Sequence, residues 1–221
     1  MFDPKIWALV PFHFWTLCFF VFGCLAGSFL NVCIHRMPRE ESIVRPASHC
    51  PHCGYSIPWY LNIPLVTWLW LRGRCANCRA PISARYFLVE LLTGIMFAAC
   101  WIHFGSLHLP LAALVYCAMI GGLIAATFID FAHFIIPDEI TIGGMAAGFL
   151  AAFLVPASHL NFPYFKPLRA VGPAMIDSLM GMAAGGAVIY GILRLGKLLF
   201  GRYRVNLPPA TRIFFTETAV K

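Results

Sequence analysis

The chain has 221 residues, of which 60% are hydrophobic and only 11% are charged. Soluble domains contain about 45–50% apolar and about 25% charged residues. This composition therefore excludes an ordinary soluble protein and predicts a polytopic membrane protein. A formal net charge of +7 would suggest nucleic-acid binding in a soluble chain. In a membrane protein, basic residues concentrate in cytoplasmic loops instead, so we expect no nucleic-acid partner.

Five apolar stretches are candidates for membrane-spanning helices, since about 20 residues at 1.5 Å per residue cross ~30 Å of hydrocarbon. They predict an all-α fold with about five transmembrane helices, at residues 12–32, 86–104, 109–129, 140–155 and 174–193. Small residues at helical spacing let another helix approach closely. In the first stretch these are Gly23, Ala26, Gly27 and Ser28.

Residues 35–85 form one substantial polar region between the first two stretches. The predicted organisation is therefore a first transmembrane segment (1–34), a four-cysteine domain (35–85), membrane helices (86–200) and a basic tail (201–221). Lys and Arg number seven in residues 35–85, six from residue 194 onwards, and three on the opposite side. The positive-inside rule then places the cysteine domain, the turn at residues 130–138 and the tail in the cytoplasm.

An apolar segment, residues 59–71, lies inside this polar region. Pro58, Asn62 and Pro64 interrupt it, and it is too short to span a bilayer. Two interpretations remain open from the sequence: the segment is a small core of the cysteine domain, or it lies on the membrane interface.

Four of the nine cysteines form two pairs in the polar region, Cys50/Cys53 and Cys75/Cys78. Two C-x2-C motifs separated by 21 residues are typical of a four-thiolate zinc site, in which each motif supplies two sulfurs to one tetrahedral ion. A redox dithiol is the alternative, but a reducing cytoplasm favours metal. We expect structural zinc on the four cysteines, with His49 and His52 as alternative ligands.

Asp130 and Asp138 lie at the junction of two apolar stretches, where a charge is costly and indicates a functional site. They are interpreted as candidate catalytic residues, since two carboxylates can share a proton while one activates water. The structural alternative is that both are interfacial and that Asp138 caps the following helix. A pair eight residues apart does not by itself specify a protease.

Other polar residues in the apolar stretches have structural interpretations. Glu90 is expected to pair with Arg85 or a nearby arginine, and Asp177 to cap the last apolar helix. Asn31 and His35 lie at the predicted cytoplasmic level and are candidates for lining a cavity shared with the aspartates.

Four motifs occur in an order that resembles the type IV prepilin peptidases, also called leader peptidases. They are residues 27–38 (GSFLNVCIHRMP), the two cysteine pairs, residues 85–94 (RYFLVELLTG), and Ile129-Asp130 through Pro137-Asp138. The resemblance covers residues 23–200. It implies a bacterial inner-membrane aspartic endopeptidase that cleaves the basic leader of prepilins and pseudopilins at the cytoplasmic face. Many members also methylate the new N-terminus from S-adenosylmethionine. By position, Asp130 matches the first catalytic aspartate.

The family's second catalytic aspartate ends a Gly-x-Gly-Asp motif, which these 221 residues do not contain. The resemblance therefore predicts an N-terminal portion, as a fragment or a truncated gene, that is inactive alone unless Asp138 comes within proton-sharing distance of Asp130. The rival hypothesis is a non-catalytic zinc-knuckle scaffold that binds pilins or secretion-machinery partners. A small transporter is disfavoured, because its carboxylates would lie nearer mid-span. The pilin substrate and the oligomeric state stay open.

Overall fold

The computed structural model describes residues 11–161, 166–167, 170–200, 215–216 and 219–220. The predicted all-α fold class is confirmed. The α-helices are α1 (Phe12–Arg36), α2 (Val66–Trp70), α3 (Ala84–Cys100), α4 (Pro110–His133), α5 (Asp138–Leu154) and α6 (Val171–Phe200). A π-helical turn, Trp101–Gly105, continues α3. Two two-stranded antiparallel pairs of two residues each complete the fold: β1 (Leu160–Asn161) with β2 (Lys166–Pro167), and β3 (Phe215–Thr216) with β4 (Ala219–Val220).

The chain divides into two units, Met1–Leu179 and Met180–Lys221. The first contains α1 to α5 and the cysteine domain, and the second begins within α6. The predicted basic tail falls mostly outside the described residues. The predicted domain boundaries at residues 34, 85 and 200 stay predictions.

Four helical segments in the described part of the chain are long and apolar enough to cross a membrane: Phe12–Arg39, Ala84–Gly105, Pro110–His133 and Val171–Leu199. The fourth predicted span, at residues 140–155, corresponds to α5, which has 17 residues, the lower end of the range for a spanning helix. α5 nevertheless returns along α4. This is shown by a hydrogen bond from the Tyr116 hydroxyl of α4 to the Ser158 carbonyl, which lies just beyond the end of α5 (3.1 Å). Tyr116 lies about 25 Å from the end of α4 at 1.5 Å per residue.

Glycines bring α1 and α3 into backbone contact, as the small-residue pattern predicted. A Cβ on Gly23 would lie 2.7 Å from the Thr93 carbonyl oxygen, and one on Gly94 would lie 2.6 Å from Cys24 Sγ. Neither space admits a methyl group, so this contact requires glycine on both helices.

The core of the first unit lies where α1, α3 and α4 meet. Its most buried members at the cysteine-domain end are Ile34, Val89 and Ile129, each at most 1% exposed. At the other end, Trp101 stacks on Phe19 with ring centroids 4.9 Å apart. The core therefore runs along the three helices and ends beside Asp130, which fixes the helix end that carries the aspartate.

Candidate metal centre and aspartate turn

The first cysteine pair lies in a tight hairpin, or knuckle. The backbone N–H of Cys50 donates to the Tyr55 carbonyl (2.9 Å), and the N–H of Gly54 donates back to the Cys50 carbonyl (2.9 Å). Gly54 has a φ of 69°, a left-handed conformation that costs a residue with a Cβ about 1–2 kcal/mol. This is the backbone freedom that a glycine after C-x2-C supplies.

The second pair repeats the same geometry. The N–H of Cys75 donates to the Ala80 carbonyl (2.8 Å), and the N–H of Arg79 donates to the Cys75 carbonyl (3.1 Å). Arg79 occupies the position equivalent to Gly54 and has a φ of 60°. The two knuckles are therefore a structural repeat, although only one uses glycine at the left-handed position.

Gly54→Ala should weaken zinc binding about fivefold. Alanine in the left-handed conformation adds about 1 kcal/mol of strain to the folded knuckle, and this strain reduces the free energy of zinc binding because metal binding is coupled to folding. A Cβ on Gly54 would meet no atom within 4 Å, so steric contact contributes nothing. The matched control is Arg79→Ala, which keeps the strained backbone and should change zinc affinity little. Competition with a zinc-chelating dye measures both, and equal losses in the two variants would contradict this explanation.

The two knuckles bring the four predicted cysteine ligands together. All four Sγ atoms lie within 4.8 Å of one another, and Cys50 Sγ is 3.8 Å from Cys78 Sγ. A tetrahedral site with Zn–S bonds of about 2.3 Å requires sulfur–sulfur separations of about 3.8 Å. Backbone N–H groups of Cys78 and Asn77 lower the pKa of the Cys75 thiol to about 6, which favours the thiolate that zinc binds. The donor set therefore fits a zinc ion.

The predicted alternative ligands do not belong to this four-sulfur cluster. Within the described residues the cluster consists of cysteines only, and His49 Nδ1 lies 3.0 Å from the Ala47 carbonyl instead. His52 is exposed beside the first knuckle. All-cysteine coordination is therefore the arrangement that the described part of the chain supplies.

The two aspartates lie at the same end of the α4–α5 hairpin. The helix continues past the predicted end at residue 129, so Asp130 lies in the last turn of α4 and its carbonyl accepts from the Phe134 N–H (2.8 Å). The predicted cap at Asp138 is wrong: Pro137 is the N-cap residue and Asp138 is the first residue of α5. Both aspartates are exposed in the described structure, so both are accessible to water and to a peptide.

A cavity of about 750 Å³ separates α1 from the cysteine domain. Its lining includes Ser28, Asn31 and His35 of α1 and Glu90 of α3. Asn31 and His35 therefore line a cavity, as expected, but Asp130 does not line it. The cavity and the aspartate turn are two separate candidate sites.

Two polar residues have partners that differ from the predicted ones. Glu90 is 8% exposed, and its Oε2 accepts from the backbone N–H of Leu65 (2.8 Å) instead of pairing with an arginine. Asp177 lies in the second turn of α6 and contacts His159 Nδ1 (2.8 Å) instead of capping the helix. No local sequence signal identifies either contact, because each joins segments whose proximity depends on the tertiary fold.

The fold and these sites define a class of protein: a polytopic membrane protein whose first two spans enclose a four-cysteine knuckle domain. The family model for the bacterial peptidase A24 N-terminal domain matches residues 21–104. The chain belongs to the prepilin leader peptidase/N-methyltransferase family, as the motifs indicated.

Three relatives carry the name prepilin leader peptidase/N-methyltransferase. The protein of Aeromonas hydrophila is 34% identical in an alignment that covers 87% of this chain and 68% of the relative. That of Dichelobacter nodosus is 35% identical over 213 residues (83% and 68%). That of Myxococcus xanthus is 47% identical over 166 residues, and the chain spans only 44% of its length. No solved structure matches.

Proposed function

We propose that this chain carries part of a membrane aspartic endopeptidase that removes the leader of prepilins or pseudopilins. The observation that supports this most directly is Asp130, which ends a membrane-spanning helix and is exposed there. The relatives' shared name gives the reaction class. Many soluble enzymes place such carboxylates in clefts; here the substrate's own apolar segment would reach the site from the bilayer.

In the proposed chemistry Asp130 is one half of a carboxylate pair. One carboxylate, ionised, takes a proton from water, and the other, protonated, donates a hydrogen bond to the scissile carbonyl. The 221 residues contain no Gly-x-Gly-Asp motif. Asp138 is the aspartate that the turn brings to the same helix end, and it is the candidate second carboxylate within these residues.

The proposed orientation places the cysteine domain and the aspartate turn in the cytoplasm of a bacterial inner membrane. Thirteen of the 16 Lys and Arg residues lie on that side of the predicted topology, as the positive-inside rule requires. A prepilin's basic leader would then be on the same side as Asp130.

Zinc in this proposal is structural. Cys50, Cys53, Cys75 and Cys78 would hold it, and it would supply folding energy to a domain that has few other buried apolar residues.

The proposed second activity is methylation of the new N-terminus. S-adenosylmethionine would supply the methyl group. The cavity beside Glu90 has the size of a small-molecule site, which is about 300–1,000 Å³, and its Glu41 and Glu90 carboxylates suit the donor's positively charged groups. Titration of S-adenosylmethionine into the protein tests this assignment, and an absence of binding would contradict it.

The peptidase proposal is tested with a prepilin-like peptide and the protein reconstituted in liposomes. We expect no cleavage by these 221 residues or by Asp130→Ala, because the second carboxylate of the family motif is missing. We expect cleavage when a segment with Gly-x-Gly-Asp is supplied, and loss of that cleavage on Asp130→Ala. Cleavage that survives Asp130→Ala would refute the assigned role. Cleavage by the unaltered chain alone, lost in Asp130→Ala, would assign the second role to Asp138.

The rival proposal is a scaffold that binds pilins or secretion-machinery partners without cutting. The four-cysteine knuckle domain, which could hold a structural ion, is the observation behind it. The same liposomes separate the two, because a scaffold would bind the prepilin peptide and leave it intact even when the missing motif is supplied.

A further inference from the structure

Six large apolar side chains of the segment at residues 59–71 are exposed. Trp59 is 82% exposed and Trp70 is 77% exposed. The other exposed side chains, each less exposed than the two tryptophans, are Tyr60, Ile63, Val66 and Leu69. The residues of α2 that face the protein are Thr67, which is buried, and Trp68, whose ring lies 5.1 Å from that of Phe87. The six exposed side chains therefore do not belong to a small core, which was the first alternative from the sequence.

Glu90 fixes the position of this segment relative to the membrane helices. Its bond to the Leu65 N–H lies six residues, or about 9 Å, inside the start of α3 at 1.5 Å per residue. Gly27 packs against the same place: a Cβ there would lie 2.8 Å from Glu90 Cα, about 13 Å inside the end of α1. Both helices therefore place Glu90 within the membrane-spanning part of the protein, and the hydrogen bond from Leu65 places that residue beside it.

The surroundings of the segment at this depth are also apolar and exposed. Leu88 and Leu92 flank Glu90 on α3, and Phe29 lies at the same level of α1; all three are at least 40% exposed. Leu88 and Leu92 belong to a helix that is long and apolar enough to cross a membrane, whereas Phe29 lines the cavity between α1 and the cysteine domain. α3 therefore exposes apolar side chains at this level on the side opposite Glu90.

We propose that residues 59–71 form a re-entrant segment embedded in the bilayer leaflet next to the cysteine domain, with Trp59 and Trp70 in contact with lipid. The depth of about 9 Å from the start of α3 lies within the ≈ 5–10 Å to which interfacial helices insert, and the depth of about 13 Å from the end of α1 lies slightly beyond it. Tryptophan is enriched at this level of membranes. Arg72 and Arg74, which follow the segment and are exposed, can reach anionic headgroups with their long side chains.

Difference fluorescence with the full chain in vesicles of phosphatidylcholine and phosphatidylglycerol tests this proposal. The protein has six tryptophans, so the emission lost in the double variant W59F/W70F reports those two positions. The spectrum of the unaltered protein minus that of the double variant gives the emission of Trp59 and Trp70. We expect this difference emission to be blue-shifted, to fall by roughly half when the lipids carry acyl-chain bromine, and to resist quenching by aqueous iodide. The matched control is Trp68→Phe, whose lost emission should respond only weakly to brominated lipid because that ring faces the protein.

The other outcomes each overturn the proposal. Quenching by iodide without quenching by brominated lipid would place the segment in water. Resistance to both quenchers would show that a protein surface, from a second copy or another partner, covers it. Phenylalanine keeps both exposed positions apolar, and circular dichroism verifies that the variants are folded.

A second pair of variants tests whether the hydrogen bond between the Leu65 N–H and Glu90 holds the segment in place. Glu90→Gln keeps an oxygen that can accept from the Leu65 N–H, whereas Glu90→Leu removes it. Measured without the tryptophan substitutions, total quenching by deeply placed bromine should fall in Glu90→Leu and be retained in Glu90→Gln. Equal quenching in the two variants would show that the Leu65 contact does not hold the segment in the bilayer.

Discussion

Cys75→Ser should abolish zinc binding and unfold the knuckle domain while the membrane helices stay folded. Cys75 is 6% exposed, and its Sγ lies within 4.8 Å of the other three cysteine sulfurs, so it is a buried member of the predicted ligand set. Structural zinc contributes about 10–16 kcal/mol of apparent binding free energy in zinc-finger peptides. Removing one of the four ligands loses much of that binding free energy. The few other contacts of the domain stabilise it by less than the amount lost.

Zinc content by mass spectrometry and limited proteolysis measure this effect. We expect about one zinc per chain in the unaltered protein, none in Cys75→Ser, and new cleavage sites confined to residues 40–83. A chelator should produce the same proteolysis pattern in the unaltered protein.

Two controls separate ligand loss from general damage. Cys18→Ser changes a cysteine of α1 that lies outside the cluster, and His52→Ala removes the exposed imidazole beside the first knuckle. Both variants should retain zinc. Zinc loss in His52→Ala would show that the metal is not held by the four cysteines alone.

The four-cysteine cluster was predictable because its information is local. Each C-x2-C motif folds as a hairpin through contacts within six residues, such as Cys50 with Tyr55, so spacing alone locates four ligands in two turns. The all-α fold was predictable for a similar reason, since apolar runs of this length form helices in a bilayer. The glycines of α1 also indicated a close helix contact, although the sequence does not specify that the partner is α3.

The partners of buried polar groups were not predictable. Glu90 was expected to pair with an arginine because opposite charges attract, but a buried carboxylate can equally accept from a free backbone N–H. Leu65 offers such an N–H because it lies at the start of α2 with a φ of 60°, a conformation that residue type does not predict for leucine. The helix ends were misplaced by one turn for the same reason: Asp130 stays helical because Phe134 adopts a left-handed cap.

Gly27→Leu should separate α1 from α3 and destabilise the first unit strongly. A Cβ at this position would lie 2.8 Å from Glu90 Cα and 3.0 Å from the Val89 carbonyl oxygen. Both are backbone atoms, which cannot rotate away as a flexible side chain does. Overpacking of this kind typically costs about 1–3 kcal/mol, and leucine adds three further carbons beyond the Cβ, so we expect the upper end of that range or more.

The matched control is Gly148→Leu in α5, where an added Cβ meets no atom within 4 Å. Both variants place the same side chain in an apolar helix, so their difference isolates the α1–α3 contact. Thermal unfolding in detergent should show a clear fall in midpoint for Gly27→Leu and little change for Gly148→Leu. Because Gly27 packs directly on Glu90, the variant should also release Leu65 and lower the quenching of Trp59 and Trp70 by brominated lipid. Equal midpoints for the two variants would mean that α1 and α3 do not depend on this backbone contact.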